Sequence, residues 1–311
     1  GTMVSDSTAY QLAFAVTDVQ IDRTRNKAYI TDKNAKRLYV VNLETGLTEK
    51  YFQFTFMPER MTVSPDGNKL FVALLAYDHS YTWWDKDQFG YIGTIDLELQ
   101  AHTNTFLINI DPYDIVVNSS NKLIVASGSG QWTMIYAYDA SDGSVLGSTG
   151  IRQKSRLSLH PSGNWVFAAN TDSSPSDIEK FDISGIGITL LGDSPYHGDY
   201  RMNGNVWVTP DGNYVITRGG DIFLSSDMTY VTGLTATGTN IQDLSFDNAS
   251  GSVSIIGESF SSSFVYTYDL TDWSLLSTSN ALSNPQYLMM TDSLSYLLSN
   301  PSGTPVIASP P

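Results

Sequence analysis

Four histidines, at positions 79, 102, 160 and 197, are the only side chains in this sequence that ordinarily titrate near neutral pH, and there is no cysteine. His79 or His197 would serve as a general base only where the fold brings it beside a tyrosine or an arginine, and Tyr200 and Arg201 follow His197 within four residues. His79, His197, Tyr200 and Arg201 are therefore the catalytic candidates, in the arrangement a polysaccharide lyase would use. His160 takes a turn position held elsewhere by Ser64 and Thr209, so structure accounts for it. No nucleophile elbow, phosphate loop or metal-ligand helix motif is present.

The aromatic side chains suggest binding instead. Tyr81, Trp83 and Trp84 fall in an insertion running from Tyr77 to Phe89, Trp132 follows Ser127-Gly128-Ser129-Gly130-Gln131, and Tyr196, His197 and Arg201 share a third polar segment. Flat rings for C–H-rich sugar faces, with polar edges for hydroxyls, are what a glycan-binding surface needs. The competing reading folds Trp83 and Trp84 down as an apolar lid. Trp165 and Trp207 lie within strand patterns and are expected in the core. Asp85-x-Asp87-x-x-Gly90, with Asp96 at the twelfth position, has the outline of a calcium loop, but Phe89 occupies a ligand position. Aspartates equivalent to Asp96 recur elsewhere, so no metal is needed to explain it.

The elements that must position these residues repeat along the chain. Met61 to Ala73 is two apolar runs joined by Ser64-Pro65-Asp66-Gly67, a sequence suited to a type I turn, and it reads as a β-hairpin. Copies aligned on Asn26, Asn68, Asn121, Asn164, Asn213, Ser252 and Ser295 are 42, 53, 43, 49, 39 and 43 residues apart. A third run follows most of them and closes on Asn42, Asp96, Asp139, Asp182 or Asp269, and a frayed fourth run usually comes after it. Four short strands every forty-odd residues predict an all-β chain folded as a seven-bladed β-propeller, four antiparallel strands per blade. The seventh repeat lacks a fourth strand, and Ala9 to Phe14 is an unused strand-like segment, so the N-terminal strand is expected to close the last blade. The blades fall at roughly 18–54, 58–108, 112–149, 154–192, 204–234, 241–279 and 285–308 plus 9–14, within a single domain 1–311.

The pattern Pro58-x4-Val63-Ser64-Pro65-Asp66-Gly67-Asn68-x-Leu70-Phe71-Val72-Ala73, with a third strand closing on Asp or Asn, resembles the YVTN-type seven-bladed propeller repeat. That family occurs in bacterial and archaeal surface-layer proteins and is similar to lactonase-like propellers, so the resemblance implies a surface protein and adds a lactonase-like hydrolase to the enzyme readings. The sequence departs from the pattern where Pro-Asp-Gly is lost, in repeats one, three, six and seven, and where only Pro58, Pro112 and Pro285 precede a first strand. The repeat specifies turns and strands rather than chemistry.

Repeat position singles out one more set. Asp18, Arg60, Asp114, Arg156, Asn205, Asp243 and Tyr287 occupy equivalent places near the start of successive first strands, where they would ring the channel mouth. The ring reads either as mutually neutralising pairs or as a site for a cation such as calcium, or for an anionic group through the arginines. No other cofactor is expected.

Seventeen basic against 32 acidic residues give a net charge of −15, which repels nucleic acid and anionic membranes. No apolar run reaches the ~20 residues of a spanning helix. A cysteine-free, lysine-poor chain rich in Ser, Thr, Asn and Tyr suits a secreted, periplasmic or cell-surface protein. Gly1-Thr2-Met3 reads as a cloning remnant, and Pro310-Pro311 as the start of a linker within a larger multidomain protein. The sequence thus predicts a recognition or scaffold propeller with a glycan or protein ligand on its loop-rich side, and an enzyme as the alternative.

Overall fold

Each repeated turn contains its own hydrogen bonds. At Ser64 to Lys69 the Gly67 amide donates to the Ser64 carbonyl at 2.8 Å, and the Ser64 hydroxyl donates to Asp66 Oδ1 at 2.6 Å while accepting from the Lys69 amide. Thr209, Asp211 and Gly212 repeat this geometry in the fifth copy. Gly67 and Gly212 have φ of 75° and 78°, the left-handed region that glycine enters without steric cost. In the third copy Asn121 takes that role at φ 61°, donating its amide to Asn118 O, which explains how the turn survives without Pro-Asp-Gly. In five blades the carboxylate or amide that closes the third strand caps the next turn. Asn42, Asp96, Asp139, Asp182 and Asp269 each accept, through Oδ1, the backbone amide two residues on. Asp96 is therefore a turn residue, and the repeat accounts for it without a metal.

The computed structural model describes residues 9–80, 89–171, 174–234 and 236–309, and among these there is no helix. Seven four-stranded antiparallel sheets follow one another, the first formed by Asp18–Asp22, Lys27–Asp32, Arg37–Asn42 and Thr48–Gln53. The seventh takes Pro285–Met290, Ser295–Ser299 and Val306–Ala308 from one end of the chain and Ala9–Gln11 from the other. Ala9 pairs with Ala308, Tyr10 with Ile307 and Gln11 with Val306, so the N-terminal strand closes the last blade as the sequence implied. The strand is three residues long rather than six. Leu12 continues by donating its amide to Pro305 O, and Phe14 stacks on Tyr39 at 3.7 Å.

Contacts gather the chain into two compact parts. One comprises Thr31–Leu38 and Phe52–Thr232, and its apolar side chains sit between successive blades. Phe71, Ile108, Ile115 and Val125 fill one such layer, Ile124, Ile135, Leu157 and Phe181 the next, and Phe167, Val206, Val215 and Phe223 a third. The other part is drawn from Gly1–Ile30, Tyr39–Tyr51 and Gly233–Pro311, with Val19, Ile30, Val41, Met289, Leu298 and Ile307 in one layer. Each such side chain, fully buried, contributes about 1.5–3 kcal/mol.

Candidate functional site

In the second, third, sixth and seventh blades the first strand slips register where it opens. The irregularities lie between Pro58 and Met61, Pro112 and Asp114, Ile241 and Asp243, and Pro285 and Tyr287. Proline has no amide to offer a ladder, and a bulge re-aims the side chains inside it. Glu59 and Tyr113 thereby meet His79 in the loop that joins the second blade's second strand to its third, whereas Arg60 reaches Asp114 of the next first strand.

Those loops hold a dense charged cluster. His79, in the insertion of the second blade, has Nδ1 2.6 Å from Asp111 Oδ2 and Nε2 2.7 Å from Glu59 Oε1. A carboxylate at each ring nitrogen favours a proton on each, the imidazolium form. Burial opposes that charge, but Asp111 and Glu59 outweigh it and raise the pKa above the ordinary histidine value. Glu59 is correspondingly lowered: burial would raise it, and His79 and Lys33 prevail. Lys33 bridges Glu59 at 3.1 Å and Asp78 at 2.6 Å, and its own pKa is raised against burial by those two carboxylates. Asp111, almost wholly buried, also accepts from the Ser127 and Ser129 hydroxyls at 3.1 and 2.9 Å. Gly128 between them is required by space: a Cβ there would lie 2.1 Å from His79 Nδ1. Tyr113 stands edge-on to the imidazole at 5.2 Å, and the Arg156 guanidinium lies over its ring at 4.1 Å.

The same loop that anchors on Asp111 ends at Trp132, whose side is open. Trp132 is 66% exposed, and the guanidinium of its cross-strand partner Arg152 lies 5.3 Å from its ring centroid. Arg152 is held in turn by donating to the Pro175 carbonyl. Beside this pair burial, reinforced by Asp193 and Asp177 and opposed by Arg152, pushes the Glu179 carboxyl up to about 7.

The sequence-derived candidates separate into groups. Tyr81, Trp83 and Trp84 lie outside the described residues. Tyr196 is engaged in packing: its hydroxyl accepts the Tyr230 amide, and its ring meets Tyr200 edge-on at 4.8 Å beside Phe223. Tyr200 stacks on Tyr230 at 4.8 Å. His197 and Arg201 are exposed. Among the described residues no hydrogen bond or ring contact joins His79 to His197, Tyr200 or Arg201. Trp165 packs against an apolar cluster, with Lys180 Nζ 4.5 Å from its ring.

The polar positions of the first strands tie neighbouring blades together. Arg60 donates to Asp114 at 3.2 Å and to Asn205 at 3.4 Å, while Asp114 Oδ2 accepts the Leu157 amide of the following blade at 2.8 Å. Asp243 accepts the Leu288 amide in the same way, and the Tyr287 hydroxyl donates to Thr17 O. Asp18 is buried. Arg156 is lowered by burial and by Arg60. Among the described residues no three His, Asp or Glu side chains converge as metal ligands. Sequence reasoning missed Lys33, Glu59, Asp111, Tyr113 and the serines. A charged pair within a proline-opened strand, Glu59-Arg60, was the available signal.

No protein-family model and no curated relative matches the sequence. Among solved structures the chain is similar to one in the crystal structure of a mitotic checkpoint complex, with a TM-score of 0.71 and 13% identity over 99% of this chain and 96% of that one. A likeness at that identity speaks for architecture alone, and with the seven sheets it makes this chain a seven-bladed β-propeller.

Proposed function

We propose that this chain is a non-catalytic recognition propeller of the YVTN type, from a secreted or cell-surface protein, that takes a glycan or peptide on the loops joining second to third strands. Trp132 carries the reading. An indole two-thirds exposed, set against the Arg152 guanidinium at the end of a loop anchored through Asp111, offers a flat face to a ligand, and the guanidinium contact favours one placement of the ring before binding. The similar solved structure is that of a checkpoint complex, which supports a peptide as the second occupant to test. The enzyme alternative, a hydrolase or lyase using His79 or His197 with Tyr200 and Arg201, needs a free ring nitrogen; both of His79's face carboxylates, so His197 is the base that reading would have to use.

The test is a glycan array and a peptide library screened with the wild type and Trp132→Ala. Binding about tenfold weaker in the variant is expected. A screen without hits, or hits that ignore the substitution, would remove the proposal.

A further inference from the structure

At the opposite end of the strands, a cavity of about 760 Å³ opens between the sixth and seventh blades. Its origin can be traced through the repeat. The residue opposite the third-strand aspartate is Lys69, Lys122 or Trp165 in the second to fourth blades and Ser252 in the sixth. Two places on, Phe71, Ile124 and Phe167 give way to Ser254. Opposite that position, the fourth blade's Lys180 corresponds to Thr267.

In the third and fourth blades lysines fill this space. Lys122 Nζ donates to the carbonyls of Ile183, Gly185 and Gly187, and Lys180 Nζ to those of Ser225 and Ser226 in the turn of the next blade. The seventh blade has no such turn, because its third and fourth strands come from opposite ends of the chain. At the corresponding places the sixth blade carries small hydroxyl residues, Ser252, Ser254 and Thr267, which leave the volume open.

We infer that this cavity is a binding site for a neutral sugar residue, separate from the Trp132 loops. Ser252, Ser254 and Thr267 form its hydroxyl floor, and Arg23, Asp247 and Asp292 its rim. Arg23 uses Nη2 on Ser245 Oγ and Phe246 O, and its other N–H groups have no protein partner among the described residues. The Asp292 carboxylate likewise accepts no hydrogen bond from the described residues. Asp247 Oδ1 already accepts the Ala249 and Ser250 amides, so the open acceptor on the rim is Asp292, and an open fork of donors with an open carboxylate suits sugar hydroxyls, each of which both gives and takes a proton. An anion would meet two carboxylates, and a cation would meet Arg23. Met290 and Leu294 offer the apolar contact for a C–H face, and the volume lies within the usual range for small-molecule sites.

Saturation-transfer NMR with millimolar glucose, galactose, mannose and N-acetylglucosamine tests the site. At least one sugar is expected to bind the wild type and Trp132→Ala alike. Ser254→Ile restores the side chain that the third blade carries and should abolish binding without lowering Tm. Asp292→Ala, an exposed change that leaves the fold alone, should weaken binding at least fivefold. No transfer to any of the four sugars, transfer that survives both cavity variants, or transfer lost in Trp132→Ala would each overturn the assignment.

Discussion

His79 is the residue where chemistry and folding compete. Its ring sits between two carboxylates with 11% of the side chain exposed, so truncation leaves Asp111 and Glu59 charged and buried. Breaking a buried pair in this way costs about 3 kcal/mol, and His79→Ala should show that loss in denaturant unfolding. Protonation sets the pH dependence. The folded-state pKa lies above 6.5, so the imidazolium's stabilisation is complete below about pH 6.5 and is lost as pH rises through the higher folded value. Tm should therefore fall in the wild type as buffers move upward from pH 6.5, and His79→Gln should flatten that slope. A slope identical in the two proteins would assign the dependence to other groups. Of this cluster the sequence displayed only the histidine. Glu59 and Asp111 lie 20 residues before it and 32 after it, and no spacing rule encodes a contact made by packing one blade on the next.

Among the elements, turns were the most legible because their backbone demands particular residues. Ser64, Asp66 and Gly67 each meet a separate hydrogen-bonding or dihedral requirement, and so the motif recurs recognisably. First strands were less legible. Their bulges alter register by local geometry that Pro58, Pro112 and Pro285 only hint at. The bulges place Asp114 and Asp243 to accept amides from the next blade, a role that a ring of channel-facing charges does not suggest. Asp114→Ala leaves the Leu157 amide buried without that acceptor and removes one of Arg60's partners. A loss of about 2–3 kcal/mol is expected in urea unfolding. Asn205→Ala, at the longer 3.4 Å contact, should cost much less, and equal losses would contradict the stapling role.

For the molecule as a whole, the sequence disclosed blade count and closure because both follow from counting copies and noticing one strand left over. The binding surfaces were less apparent, since a loop's composition does not say which of its aromatic rings turns inward. Tyr196 is anchored against Tyr200 and Phe223 while Trp132 stands open, although both were equally plausible platforms in the sequence.

Ala9 and Ala308 are register partners on adjacent antiparallel strands. A short loop spliced between them would turn the seventh blade into an ordinary hairpin-linked sheet. The polypeptide could then be opened instead at the exposed turn around Asp142, and the rearranged gene product should still fold and melt cooperatively. A permuted version could present its new termini beside whichever blade an engineer wished to label.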